Sequence, residues 1–173
     1  PEIDLYDDAV PAVEHLTETA TAVEAAALSN DGITNSEGGS ASHGEAHMMI
    51  ATSNGFSANY KRSSQGFSAV VIAEKGGAME RDYDYSAAVY GADLDAPEDV
   101  GNSAAKRTLS RLGPQKPPTG QFPVIYDQRV SGSIVGTLAS AINGAAIARG
   151  TSFLKDSMGE QVTSAGLTFI DDP

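Results

Sequence analysis

Two histidines four residues apart, in His43-Gly44-Glu45-Ala46-His47, are the first residues of this chain with the chemistry of a site. On a helix, imidazoles at that spacing share a face and can hold zinc. Gly38, Gly39 and Gly44 disfavour a helix here and no third ligand is evident, so the pair reads as polar residues at a loop-to-strand edge. Ser40, Ser42 and Ser133 lie close to glycines, but none sits in Gly-x-Ser-x-Gly: in Gly132-Ser133-Ile134-Val135-Gly136 the serine comes one place early. A stand-alone serine hydrolase would pair Ser40 or Ser133 with His43 as base, and the chain has only three histidines to draw on. The third, His15, lies among Glu14 and Glu18 on or near a polar helix face and reads as solvated. Glu80, Asp82 and Asp84 could hold a divalent cation or do acid–base work. Alternating acids of this kind are more often the solvated side of a strand. Phosphate-loop and dinucleotide-binding patterns are absent.

The elements that must position these residues follow from periodicity. Val10, Val13, Leu16, Ala20, Val23 and Ala27 form one apolar stripe, which predicts a helix over 8–28. Asp7 and Asp8 are placed to cap its start, and Asn30-Asp31-Gly32 stops it. From Ile33 to about Leu94 the pattern turns to short β-rich segments separated by Gly38-Gly39, Asn54-Gly55 and Gly76-Gly77. Strands are expected at 45–52, 56–63, 66–74 and 79–90, in an antiparallel meander. On the last of these, Met79, Arg81, Tyr83 and Tyr85 should share one side and the three carboxylates the other. Asp95 with Glu98 forms a capping-box pattern around Pro97 and opens a second helix, closed by Gly113-Pro114 after Lys106, Arg107 and Arg111. Residues 113–120 read as a linker. Beyond it, Phe122-Pro123-Val124-Ile125-Tyr126 reads as a strand and 131–149 as a helix rich in small residues. The expected fold class is α+β: a helix packed on an antiparallel meander sheet, a second helix, and then the beginning of a second, β-rich domain. The expected divisions are 1–112, the linker 113–120, and 121–173.

Composition narrows the function classes. The chain has 173 residues and a net charge of −12, from 11 basic and 23 acidic residues. Such a chain repels phosphate backbones, so nucleic acid is not an expected partner. The absence of cysteine excludes disulfides, thiolate metal sites and a cysteine nucleophile. No apolar run reaches the ~18 residues that a membrane span requires, and no targeting segment is visible. A cytoplasmic protein is the default. Pro1 at one end and Phe169-Ile170-Asp171-Asp172-Pro173 at the other suggest an internal piece of a longer protein.

Several short motifs, in order, carry a resemblance. They are Asn35-Ser36-Glu37-Gly38-Gly39, Ser53-Asn54-Gly55-Phe56, Val71-Ile72-Ala73-Glu74 and Met79-Glu80-Arg81-Asp82-Tyr83. Arg107-Thr108-Leu109-Ser110-Arg111-Leu112, Pro123-Val124-Ile125-Tyr126 and Thr151-Ser152-Phe153-Leu154-Lys155-Asp156-Ser157-Met158-Gly159 continue the series. Together they resemble the TldD/PmbA family, most closely its PmbA (TldE) branch, known as modulator of DNA gyrase. The resemblance implies that residues 1–112 end an N-terminal α/β domain and that 121–173 begin a C-terminal one. It also implies a cytoplasmic, heteromeric metallopeptidase that trims or degrades unfolded peptides, maturation of a peptide antibiotic among its tasks. The catalytic branch carries His-Glu-x-x-x-His on a helix, where imidazoles bind zinc and the glutamate activates water. Registered on the shared Arg149-Gly150-Thr151-Ser152, that motif falls on Val135, Gly136 and Ser140 here. No catalytic, metal-binding or cofactor-binding residue is therefore expected in this chain, and zinc is expected in a TldD-like partner subunit. Two other classes stand beside this reading: the serine hydrolase above, and an acidic binding or structural module without peptidase association.

Overall fold

The structure, a computed structural model, describes residues 4–170. The readings made of the extreme ends, Pro1 and Asp171-Asp172-Pro173, lie outside those residues. The chain divides into two compact units, Pro1–Pro117 and Pro118–Pro173.

The first unit is a three-stranded antiparallel sheet with two helices on one face. Its elements are α1 (Val13–Leu28), β1 (Ile33–Ala51), β2 (Ser57–Lys75), β3 (Ala78–Ala88), a short 3-10 turn (Gly91–Asp93) and α2 (Pro97–Ser110). The strand order is β1-β2-β3. Along β2 the odd positions from Ser63 to Ala73 are buried and the even ones are half-buried or exposed, the period of two that a sheet covered on one face imposes. Val23 and Ala27 of α1, Phe67, Ala69 and Val71 of β2, and Val100 and Ala104 of α2 make the core. Two glycines let the backbones close on one another. A Cβ on Gly39 of β1 would lie 2.1 Å from the Ala20 carbonyl oxygen, and one on Gly101 of α2 would lie 2.4 Å from that of Val23.

The meander is built from three long strands, not four short ones. β1 begins at Ile33 and pairs with β2 without interruption from Gly39 to Ala51. The pairing carries β2 through Ser64 and Gln65, where the sequence suggests a break. Gly76-Gly77 and the Asn54-Gly55 region form the turns, with positive φ at Gly55, Gly76 and Gly77. α1 starts at Val13, not at residue 8: its N-cap is Ala12, which has no side-chain acceptor, and the Asp7 carboxylate expected to cap the start is engaged elsewhere. Pro97 does open α2, but the capping box is not formed. Ser86 Oγ donates instead to the Asp95 carboxylate at 2.9 Å, and the Asp95 N–H donates to Ser86 Oγ at 3.0 Å.

The second unit contributes α3 (Gln128–Ile142) and α4 (Gly144–Ala148). Asp127 caps α3 by accepting from the Arg129 N–H at 2.9 Å. The single helix expected over 131–149 is divided at Asn143, whose extended backbone ends α3 and whose side chain caps α4. Ser152 ties the following loop to α3 by donating to the Ala141 carbonyl at 2.6 Å. Phe122–Tyr126 is not a strand. Pro123 has no N–H to give a ladder, and there is no strand among the described residues of this unit for the segment to pair with.

Candidate functional site

The acidic row on β3 does not face solvent. Glu80, Asp82 and Asp84 lie on the face that carries α2, and Asp82 and Ser86 there are buried. Asp84 Oδ2 accepts from Arg107 Nε at 3.2 Å and also from Ser103 Oγ. Arg111 reaches both Asp82, at 3.3 Å, and Glu80, at 3.6 Å. The basic residues that read as favourable charges at a helix end thus also neutralise the strand below them. This is a cross-element ion-pair ladder, and it accounts for the carboxylates without a cation. On the opposite face Tyr83 and Tyr85 stack with ring centroids 6.4 Å apart. There Arg81 Nη1 binds both carboxylate oxygens of Glu37, at 2.7 and 2.8 Å.

A second polar cluster, which local spacing does not reveal, gathers the N-terminal segment onto the sheet. The Ser63 N–H donates to the Leu5 carbonyl at 3.0 Å, and the Asp7 N–H donates to Ser63 Oγ at 2.8 Å. The Asp7 carboxylate accepts from the N–H groups of Gly91 (2.9 Å) and Ala9 (3.0 Å) and from Gln65 Nε2 (3.1 Å). The Gly91 and Ala9 amides hold its carboxyl below the ordinary value, aided by Gln65 and the charge of His43 and opposed by burial. Tyr90 donates to Asp4 and to the Tyr6 carbonyl, and the bond to Asp4 pushes its phenol up to about 12. Tyr6 donates to Glu45 Oε1 at 2.6 Å, which raises its pKa in turn. Asp7 lies 56 to 84 residues from Ser63, Gln65 and Gly91. Only the fold could bring it to them.

The histidine pair sits on β1, not on a helix. A strand advances ~3.4 Å per residue, so His43 and His47 share a side but stand roughly 13 Å apart, too far for one metal ion. Both ring nitrogens of His43 are buried without a hydrogen-bond partner, opposite Gln65 in the β1–β2 register. His47 Nε2 lies 3.4 Å from Asn59 Oδ1. Ser40 is three residues from His43 on a regular strand and therefore points to the other face, where its hydroxyl meets that of Ser68 at 2.9 Å. Ser42 also opposes the His43 side. Ser133 belongs to the second unit and donates to the Val130 carbonyl at 2.6 Å. The structure does not bring Ser40 and His43 together.

Val135, Gly136 and Ser140 all lie on α3 and are exposed. None has an imidazole or carboxylate, so their chemistry does not fit a zinc ion. Among the described residues no group of three or more His, Cys, Asp or Glu side chains could hold a metal. No described helix is long and apolar enough to cross a membrane.

This antiparallel sheet backed by two helices, followed by a helical segment joined through a proline-rich stretch, matches part of the PmbA/TldA metallopeptidases. Family models for the central domain and the C-terminal domain of these proteins match residues 6–112 and 119–173, and the chain belongs to that family. It is 39% identical to the metalloprotease PmbA of Escherichia coli O157:H7 over 174 residues, covering the whole of this chain and 39% of that protein. The chain thus spans about two fifths of the length of the relatives it matches. A crystal structure of a modulator of DNA gyrase from Bacteroides thetaiotaomicron superposes with a TM-score of 0.84 at 30% identity, over 94% of this chain and 38% of that one. TldE from Thermococcus kodakarensis superposes with a TM-score of 0.58 at 15% identity, over 90% and 37%, and shares the fold.

Proposed function

We propose that the protein carrying this chain is a non-catalytic, PmbA-type (TldE-type) subunit of a cytoplasmic TldD/TldE-like metallopeptidase. The complex would process or degrade unfolded peptides, as in the maturation of a peptide antibiotic. What supports this reading is α3, where Val135, Gly136 and Ser140 offer no zinc ligand or base at the positions on which the family resemblance, registered on Arg149-Gly150-Thr151-Ser152, puts His, Glu and His. Zinc and its activated water then belong to a TldD-like partner. The contribution of this chain would be a scaffold: a sheet whose acidic strand is already paired with Arg107 and Arg111 of α2.

The test is reconstitution. Full-length protein mixed with a TldD-like subunit carrying His-Glu-x-x-x-His should co-purify with it, and peptide cleavage should occur only in the mixture. Peptide cleavage by the full-length protein alone, sensitive to a metal chelator, would overturn the reading.

A further inference from the structure

Two asparagines of this chain precede glycine, in Asn54-Gly55 and Asn143-Gly144. With no Cβ on the following residue, the glycine nitrogen can approach the asparagine side chain. Both asparagines are exposed, so access of water does not separate them. Their backbones do. Asn143 joins two helices: its Oδ1 accepts from the Ala145 N–H at 3.0 Å, and its carbonyl accepts from the N–H groups of Ala146 and Ile147, each at 3.0 Å. Turning the Gly144 nitrogen toward the Asn143 side chain would undo the cap and the first turn of α4.

Asn54 sits at the far end of the β1–β2 ribbon. β3 pairs with β2 only from Gln65 to Lys75, and beyond it Gly44–Ser64 continue as two strands and a turn. The N-terminal segment holds the base of that ribbon, through Ser63 to Leu5 and Tyr6 to Glu45. At the tip the Gly55 N–H donates to the Thr52 carbonyl at 3.1 Å and the Thr52 N–H to that of Phe56 at 2.9 Å. A two-stranded end of this kind opens readily. Nothing lies within 4 Å of where a Gly55 Cβ would stand. Asn54 Oδ1 accepts from the Thr52 hydroxyl and from the Phe56 N–H at 3.3 Å. Two donors thus already face the oxygen that gains negative charge when the amide carbon is attacked. We infer that Asn54 is a site of spontaneous modification, deamidated through a cyclic imide with Gly55. The Gly55 nitrogen bonds to Asn54 Cγ, the Cγ–Nδ2 bond breaks, and ammonia leaves with the glycine proton. Water then opens the imide, at Cγ to give aspartate or at the main-chain carbonyl to give isoaspartate. Either product adds a carboxylate to a chain of net charge −12, and isoaspartate also lengthens the turn by one backbone carbon. The reaction does not depend on the peptidase reading.

Full-length protein aged in mildly alkaline buffer made with heavy-oxygen water, then digested for mass spectrometry, tests the assignment. In the folded protein the peptide containing Asn54 should gain one heavy oxygen and convert more than about tenfold faster than the peptide containing Asn143. In denaturant Asn143 should catch up, because the cap and helix that protect it are gone. Asn54→Gln, which would need a larger ring, should abolish the product at that position. An Asn54 that stays intact in the folded protein, or an Asn143 that converts as fast there, would overturn the inference.

Discussion

The contact between α1 and α2 offers the sharpest test of the packing. Gly101 lies in the interior of α2, where alanine would ordinarily stabilise by about 0.5–1 kcal/mol. Its φ is not positive, so backbone strain does not interfere. The obstacle is steric: a Cβ there would meet the Val23 oxygen at 2.4 Å, Ala26 Cβ at 2.8 Å and the Ala27 nitrogen at 2.9 Å. Two of the three are backbone atoms of α1 and cannot swing aside as a side chain can. Restoring ordinary contacts requires the helices to part by roughly 1 Å, which forfeits a quarter to a half of the dispersion attraction at each contact across the seam. Overpacking of this kind costs about 1–3 kcal/mol and sometimes more, which exceeds the helical gain. Gly101→Ala should therefore destabilise the first unit by about 1–2 kcal/mol net, a drop of roughly 4–16 °C in thermal midpoint for a unit of this size. Gly132→Ala on α3, where a Cβ meets nothing within 4 Å, should be neutral or stabilising. Thermal unfolding followed by circular dichroism reads both. A midpoint for Gly101→Ala at or above wild type would refute the close approach of α1 and α2.

Other consequences follow from the polar clusters. Asp84→Asn weakens the bonds from Ser103 and Arg107 and should cost about 1–2 kcal/mol, measured by denaturant titration; no loss would mean the ladder is cosmetic. The depressed carboxyl of Asp7 supplies stability that is present above about pH 4 and lost as pH falls through its folded value, so Asp7→Asn should flatten the acid limb of a stability–pH profile. The raised phenol of Tyr90 supplies stability that is present below about pH 10 and lost as pH rises towards 12. In a spectrophotometric titration of the six tyrosines, Tyr90→Phe should remove a component at about 12.

The parts of the fold legible in the sequence are those set by local chemistry. The alternation of Phe67, Ala69, Val71 and Ala73, the glycine turns at 55 and 76–77, and Pro97 at the start of α2 all declare themselves within a few residues. What was hidden depends on distant partners. β2 runs through the polar stretch Ser63-Ser64-Gln65-Gly66 because β1 supplies an unbroken ladder, and strand preference follows such context more than composition. Three carboxylates on β3 look solvated until Arg107 and Arg111 of α2 come to lie over them. Asp7, next to a helix start, looks like a cap until Gly91 and Gln65 are found beside it. The break at Asn143-Gly144 was within reach, since asparagine before glycine is a turn signal. At the candidate site, the separation of Ser40 from His43 follows from strand parity alone, once β1 is known to be regular there.

The central claim is that α3 carries no catalytic metal and that the peptidase chemistry lies on a partner. Metal analysis of the full-length protein, purified alone and then with its TldD-like partner, tests it most directly. No stoichiometric zinc in the protein alone, and zinc appearing with the partner in proportion to it, is the expected result. Zinc equimolar with the protein alone, retained through dialysis and accompanied by peptide cleavage, would contradict the account.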